Sequence, residues 1–188
     1  MFNLFKKTKK DRLSFVEMFP SNLSNEVLAV NDIIPEAKLT PQGQEIIIVN
    51  SESLKIYDRI YNPEPAKENI AKLSETQRLI LNCIYTRHHD GHVRGKYLKN
   101  ILSSAVPWVT PYVLILIGEY VEQILMPIKD SISEENISLY RKFAAENPSL
   151  WNKIKARVVS YWNVYYRDKF INKEQYPGVE IIRKIEEI

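Results

Sequence analysis

Apolar positions follow different rules in different parts of the chain. From residue 66 to the end they recur every three to four residues. Between residues 14 and 65 they keep no single period, and from Ile101 to Gly118 eighteen residues pass without a charged side chain. Ser74-Glu75-Thr76-Gln77 has the form of a capping box and predicts a helix with Leu79, Ile80, Cys83 and Ile84 on one stripe. Asp90-Gly91 breaks that helix. A second follows with Val93, Tyr97, Leu98, Ile101 and Leu102 in register. Pro107 restarts the chain, and one helix is expected through Val109, Val113, Leu116, Tyr120, Ile124 and Leu125, ending near Pro127. Between Tyr112 and Ile117 it is apolar on every side, as in a helix enclosed by neighbours.

Ser131-Ile132-Ser133-Glu134 predicts a further capped helix that closes at Asn147-Pro148. Ser149 then opens a long helix through Ile154, Val158, Tyr161, Trp162, Tyr165 and Tyr166. The last helix starts from Asn172 or a nearby residue and runs from Val179 to Ile188, with Ile181, Ile182 and Ile185 inward. The charge-free run is not a membrane span. Two prolines, two serines and a threonine interrupt it and Glu119 and Glu122 follow at once, so about twenty clean apolar residues are lacking.

Residues 14–65 read less clearly. Thr40-Pro41 offers a helix start, whereas Gly43 and Ile46-Ile47-Ile48-Val49 favour a buried strand, and for residues 40–50 both remain open. Leu54, Tyr57, Ile60 and Tyr61 recur at helical spacing before Pro63 and Pro65 stop the element. Residues 1–13 form a basic tail with three apolar residues at its tip. It is read as a frayed terminus, with a weak membrane-surface contact as the alternative.

Composition sharpens this picture. At 188 residues, 45% hydrophobic and 26% charged, the chain has the make-up of a globular domain, and only 5 glycines favour helix over a turn-rich sheet protein. The single Cys83 excludes a disulfide framework and a cysteine-based zinc site. It is expected to act as a small buried hydrophobe. The N-terminus carries no secretory signal, so a reducing cytoplasm is the expected location. Charge is uneven: five bases and one acid in residues 1–12, three bases and seven acids in 13–60, eight bases and two acids in 141–173.

Asp90-Gly91-His92-Val93-Arg94, followed by Tyr97-Leu98 and Ile101-Leu102, resembles the helix-turn-helix step of a HEAT-type repeat, over roughly residues 74–128. Gly95 and Tyr97 depart from that pattern, standing where small alanine-like residues are usual. The resemblance implies a short helical stack and a binding scaffold rather than a catalyst. The His-Asp pair within His88-His89-Asp90-Gly91-His92 is also similar to that of HD-type metal phosphohydrolases. That chemistry needs another histidine upstream, and all three histidines lie between 88 and 92. Asp90 is expected to cap the following helix while the imidazoles face water, with a three-histidine metal site as the lesser alternative.

Glu119 and Glu122, one turn apart, are expected to form a wet stripe on an otherwise buried helix. No phosphate loop or nucleophile elbow occurs. Lys153 to Arg167 interleaves cations with aromatics, as single-strand binders do, but Val158, Tyr161, Trp162, Tyr165 and Tyr166 form one apolar stripe that a core would absorb.

The sequence thus predicts a mainly α, compact multi-helix domain, packed antiparallel or as a short HEAT-like stack over residues 66–188. A less regular segment, 14–65, covers it and has room for a small β element. The expected function is non-catalytic protein–protein interaction, without metal or cofactor. His88, His89, His92, Arg94, Arg157 and Arg167 are the contact candidates. The rivals are nucleic-acid binding through the basic patch 141–173 and a metal-dependent enzyme at the His-rich turn.

Overall fold

The computed structural model describes residues 13–187, so the basic tail lies outside the described residues apart from Leu13. The architecture is mainly α with one small antiparallel sheet. In chain order it comprises α1 (Ser24–Ile33), β1 (Gln42–Val49), β2 (Glu52–Arg59), α2 (Lys67–Ala71), α3 (Glu75–Tyr85), α4 (Gly91–Leu98), α5 (Thr110–Leu114), α6 (Glu122–Ser131), α7 (Glu134–Glu146), α8 (Pro148–Tyr161) and α9 (Pro177–Glu186). One cluster of buried apolar side chains runs from Phe15 to Ile185. No helix of the described residues is long and apolar enough to cross a membrane.

The ambiguity at residues 40–50 resolves as strand, and the helical spacing read at 54–61 is corrected to strand as well. β1 and β2 pair with Ile47 opposite Leu54 and Val49 opposite Glu52, which buries Ile47, Val49, Leu54 and Ile56 on one face. Asn50 and Ser51 join them with φ of 48° and 69°, the two-residue turn whose twist suits a hairpin. Pairing with a distant partner strand overrides the local helical period.

The long helix expected from Val109 to Leu125 is broken into three pieces. α5 tightens into a 3-10 turn over Ile115–Gly118, the backbone extends at Glu119 (φ −96°, ψ 155°), and α6 begins at Glu122. Every residue from Val109 to Glu119 is buried, as the charge-free run implies. The break occurs where α8 comes closest: a Cβ on Gly118 would lie 3.7 Å from the Ile154 Cα. α6 then continues through Pro127, beyond the expected stop, and buries Ile124, Leu125 and Ile128.

Caps appear at α3 and α4 as read from the sequence. Ser74 and Gln77 exchange both capping bonds, and Asp90 Oδ1 accepts from the His92 N–H at 2.8 Å. At α7 the serine is Ser133, whose N–H donates to Asn136 Oδ1, rather than Ser131. α8 starts at Pro148 with Asn147 as its cap, two residues before the expected Ser149. Asn172 caps only a 3-10 turn, and α9 opens at Pro177.

α9 crosses α8 at Gly178, where a Cβ would lie 2.9 Å from Val158 Cγ1 and 3.1 Å from Tyr176 Cε1. Gly178→Ala is therefore expected to lower stability by about 1–3 kcal/mol through overpacking. Denaturant unfolding with an unchanged m-value checks this; a neutral substitution would show that the crossing can open.

Candidate functional site

The six contact candidates separate once folded. Arg94 is only 4% exposed. Its Nη1 donates to the carbonyls of His88 and His89, both at 2.9 Å, and its Nη2 approaches Glu119 Oε2 at 3.3 Å. Glu119 Oε1 accepts from Arg59 Nη2 at 2.7 Å. The wet stripe expected of Glu119 and Glu122 is thus corrected: Glu119 is interior and joins β2 to α4, while Glu122 pairs at the surface with Lys169. Arg87 is buried beside this group and donates to the carbonyls of Tyr57 and Asp58. Burial, reinforced by the Arg59 guanidinium, lowers the Arg87 side chain to about 10, so it stays cationic at neutral pH. A lone carboxylate directly after a charge-free run was the available signal for Glu119.

His88 is also interior, against the expectation that the imidazoles face water. Its ring stacks on Tyr85 at 6.0 Å, and its Nδ1 accepts from the Asp90 N–H at 3.1 Å, which puts the proton of the neutral ring on Nε2. Burial, then the neighbouring His89, lowers its pKa. A histidine whose folded pKa is depressed binds fewer protons folded than unfolded. Stability is therefore present above the ordinary imidazole value of about 6.5 and is lost as pH falls below it. Unfolding curves from pH 7.5 to 5 are expected to show this loss, and His88→Asn to flatten it; superimposable pH profiles would exclude His88 as the source.

His89 is exposed and stacks on Tyr61 at 5.1 Å, whereas His92 is exposed on α4. Among the described residues no group of three His, Cys, Asp or Glu side chains is placed to hold a metal ion. Cys83 is fully buried and burial raises its thiol pKa, as suits a small core hydrophobe.

A surface centred on Tyr120 brings together residues that sequence spacing does not connect. Tyr120 is 49% exposed, and its ring centroid lies 5.8 Å from Tyr161 and 5.5 Å from Tyr165. The Tyr166 hydroxyl donates to the Tyr120 carbonyl and holds that segment against the end of α8. Tyr165 is 61% exposed, which corrects the stripe expected to enter the core. Trp162–Tyr166 forms a π-turn, and its wider i→i+5 winding rotates the later side chains away from the helical register. Val158 stays buried before the turn; Val164 and Tyr165 are exposed within it.

Beyond Tyr120 a groove of about 510 Å³ separates α4 from the start of α6, with His92, Lys96 and Lys99 on one side and Val121, Gln123 and Ile124 on the other. Lys96 pairs with Glu64, and Lys99 has no ion-pair partner among the described residues.

The basic patch 141–173 is largely neutralised. Lys142, Lys153, Lys155, Lys169 and Lys173 pair with Glu146, Glu45, Glu186, Glu122 and Glu174 in turn. Arg141 donates to the Ile185 carbonyl at the end of α9. Arg157 and Arg167 have no ion-pair partner among the described residues, and the Arg157 stem lies beside Gly118, two residues from Tyr120. No protein-family model, curated protein or solved structure matches the chain.

Proposed function

We propose that this protein is a non-catalytic protein–protein interaction module whose contact face is the Tyr120–Tyr161–Tyr165 cluster. The observation that carries this is the cluster itself: two rings about half or more exposed, in mutual contact, near Arg157, which has no ion-pair partner among the described residues. Tyrosine and arginine supply much of the binding energy at protein interfaces, because rigid rings bury large area at low entropic cost. The α3–α4 pair then serves as HEAT-like scaffold for that face. Nucleic-acid binding is the weaker alternative. Bases can stack on exposed tyrosines, but five of the eight cations in 141–173 already face carboxylates, which reduces the field available to phosphates.

The test is a photo-crosslinking residue at position 165 in the full chain, expressed in its native host, with position 25 on α1 as control. The expected result is a protein adduct at 165 that is absent at 25 and lost in Tyr120→Ala. A nucleic-acid adduct at 165, or none, would overturn the proposal.

A further inference from the structure

The groove beside the tyrosine face has a charge pattern and walls that specify its occupant. His92 and Lys96 on α4 and Lys99 at its C-terminal cap, still in helical backbone, stand at i, i+4 and i+7, so they share one side and span about 10 Å at 1.5 Å rise per residue. Gly91 and Gly95, also four apart, lie on the same groove wall, where a Cβ on Gly91 would stand 3.5 Å from Arg94 Nη2. A Cβ on Gly95 would meet only Ile124, at 4.0 Å, so the space above it is open. The half-buried Val121 gives the opposite wall an apolar edge, with the buried Ile124 behind it and Tyr120 and Gln123 alongside.

We infer that this groove receives an acidic amphipathic helix of the protein partner, an assignment that rests on the protein-interaction function proposed above. Both walls are helical, and rows of side chains spaced by three and four residues accept the matching rows of a third helix. Carboxylates at i, i+4 and i+7 of that helix repeat at the same axial intervals as His92, Lys96 and Lys99. Its small or apolar side faces Gly95 and Val121. Lys99, without an ion-pair partner among the described residues, is the strongest anchor; at Lys96 an incoming carboxylate joins Glu64. Tyr120 borders both the groove and the tyrosine cluster, so one partner can engage both surfaces.

The same crosslinker placed at position 123, on the groove rim, tests this alongside position 165. The expected result is capture of one protein from both positions. The segment captured at 123 should carry Asp or Glu at helical spacing. That adduct should fall at least tenfold in Lys99→Glu, and in Gly95→Leu, which fills the groove where a Cβ has room. Unfolding midpoints close to the parent's confirm that both variants fold. Capture at 165 alone would overturn the groove assignment and leave the interaction function standing. A captured segment lacking acidic spacing, or a nucleic acid at 123, would overturn the groove assignment, and no adduct at either position removes both.

Discussion

Replacing Glu119 with leucine is expected to lower the unfolding free energy by about 3–5 kcal/mol, the range for breaking a buried ion pair from one side. The carboxylate has a side-chain exposure of 7% and bridges Arg59 and Arg94. Arg59 is partly exposed and can turn toward water, so its loss of a partner costs little. Arg94 has no such freedom. Its guanidinium is tied to the His88 and His89 carbonyls, and without Glu119 its charge stays inside with only the weaker attraction of Asp90. The neighbouring Arg87 cation makes that worse. Glu119→Gln should cost less, about 1–3 kcal/mol, because the amide oxygen still accepts one hydrogen bond. Adding Arg94→Met to Glu119→Leu should restore part of the loss, since the stranded charge is then gone. Urea unfolding followed by circular dichroism measures all four proteins. A Glu119→Leu variant within about 1 kcal/mol of the parent would show that the arginines find other partners.

Asn147→Ala is the second large effect, expected at about 2–4 kcal/mol from three lost hydrogen bonds. Asn147 stands between α7 and α8, and its carboxamide ties the end of α7 to the edge of β1. Its Oδ1 accepts from the Ile48 N–H at 2.7 Å, and its Nδ2 donates to the Ile48 carbonyl at 2.9 Å and to the Phe143 carbonyl at 3.0 Å. It pairs with Ile48 as a neighbouring strand would, so alanine frees both strand-edge groups, while the Phe143 carbonyl keeps the backbone N–H of residue 147. Asn147→Asp separates the donors from the acceptor. The introduced carboxylate can accept from Ile48 but faces two carbonyls, which disfavours its charged form and raises its folded pKa. Stability in that variant should be greatest at low pH and decline as pH rises through the folded pKa. Thermal melts of both variants between pH 4 and 8 read this out; an alanine variant that melts within a degree of the parent would mean water replaces the amide at no cost.

How much of this was legible depended on the range of the interactions. The Ser74–Gln77 box and the Asp90 cap lie within three residues of the backbone they serve, so the sequence reveals them directly. The charge-free run identified the buried segment, because eleven consecutive buried positions from Val109 to Glu119 leave no place for solvated charge except at its end. At the candidate site, His92 and Arg157 were named and do border the surface, while His88 and Arg94 are interior. Tyr120 was assigned to a helix stripe that the break at Glu119 abolishes.

What the residues settled alone is the mainly helical character, the caps of α3 and α4 and the position of the enclosed segment, since periodicity and capping act over one or two turns. The hairpin, the inward turn of Glu119, the π-turn that exposes Tyr165 and the groove between α4 and α6 were decided by tertiary structure. Each depends on groups tens of residues apart, whose pairing and close packing outweigh the local preference of the chain.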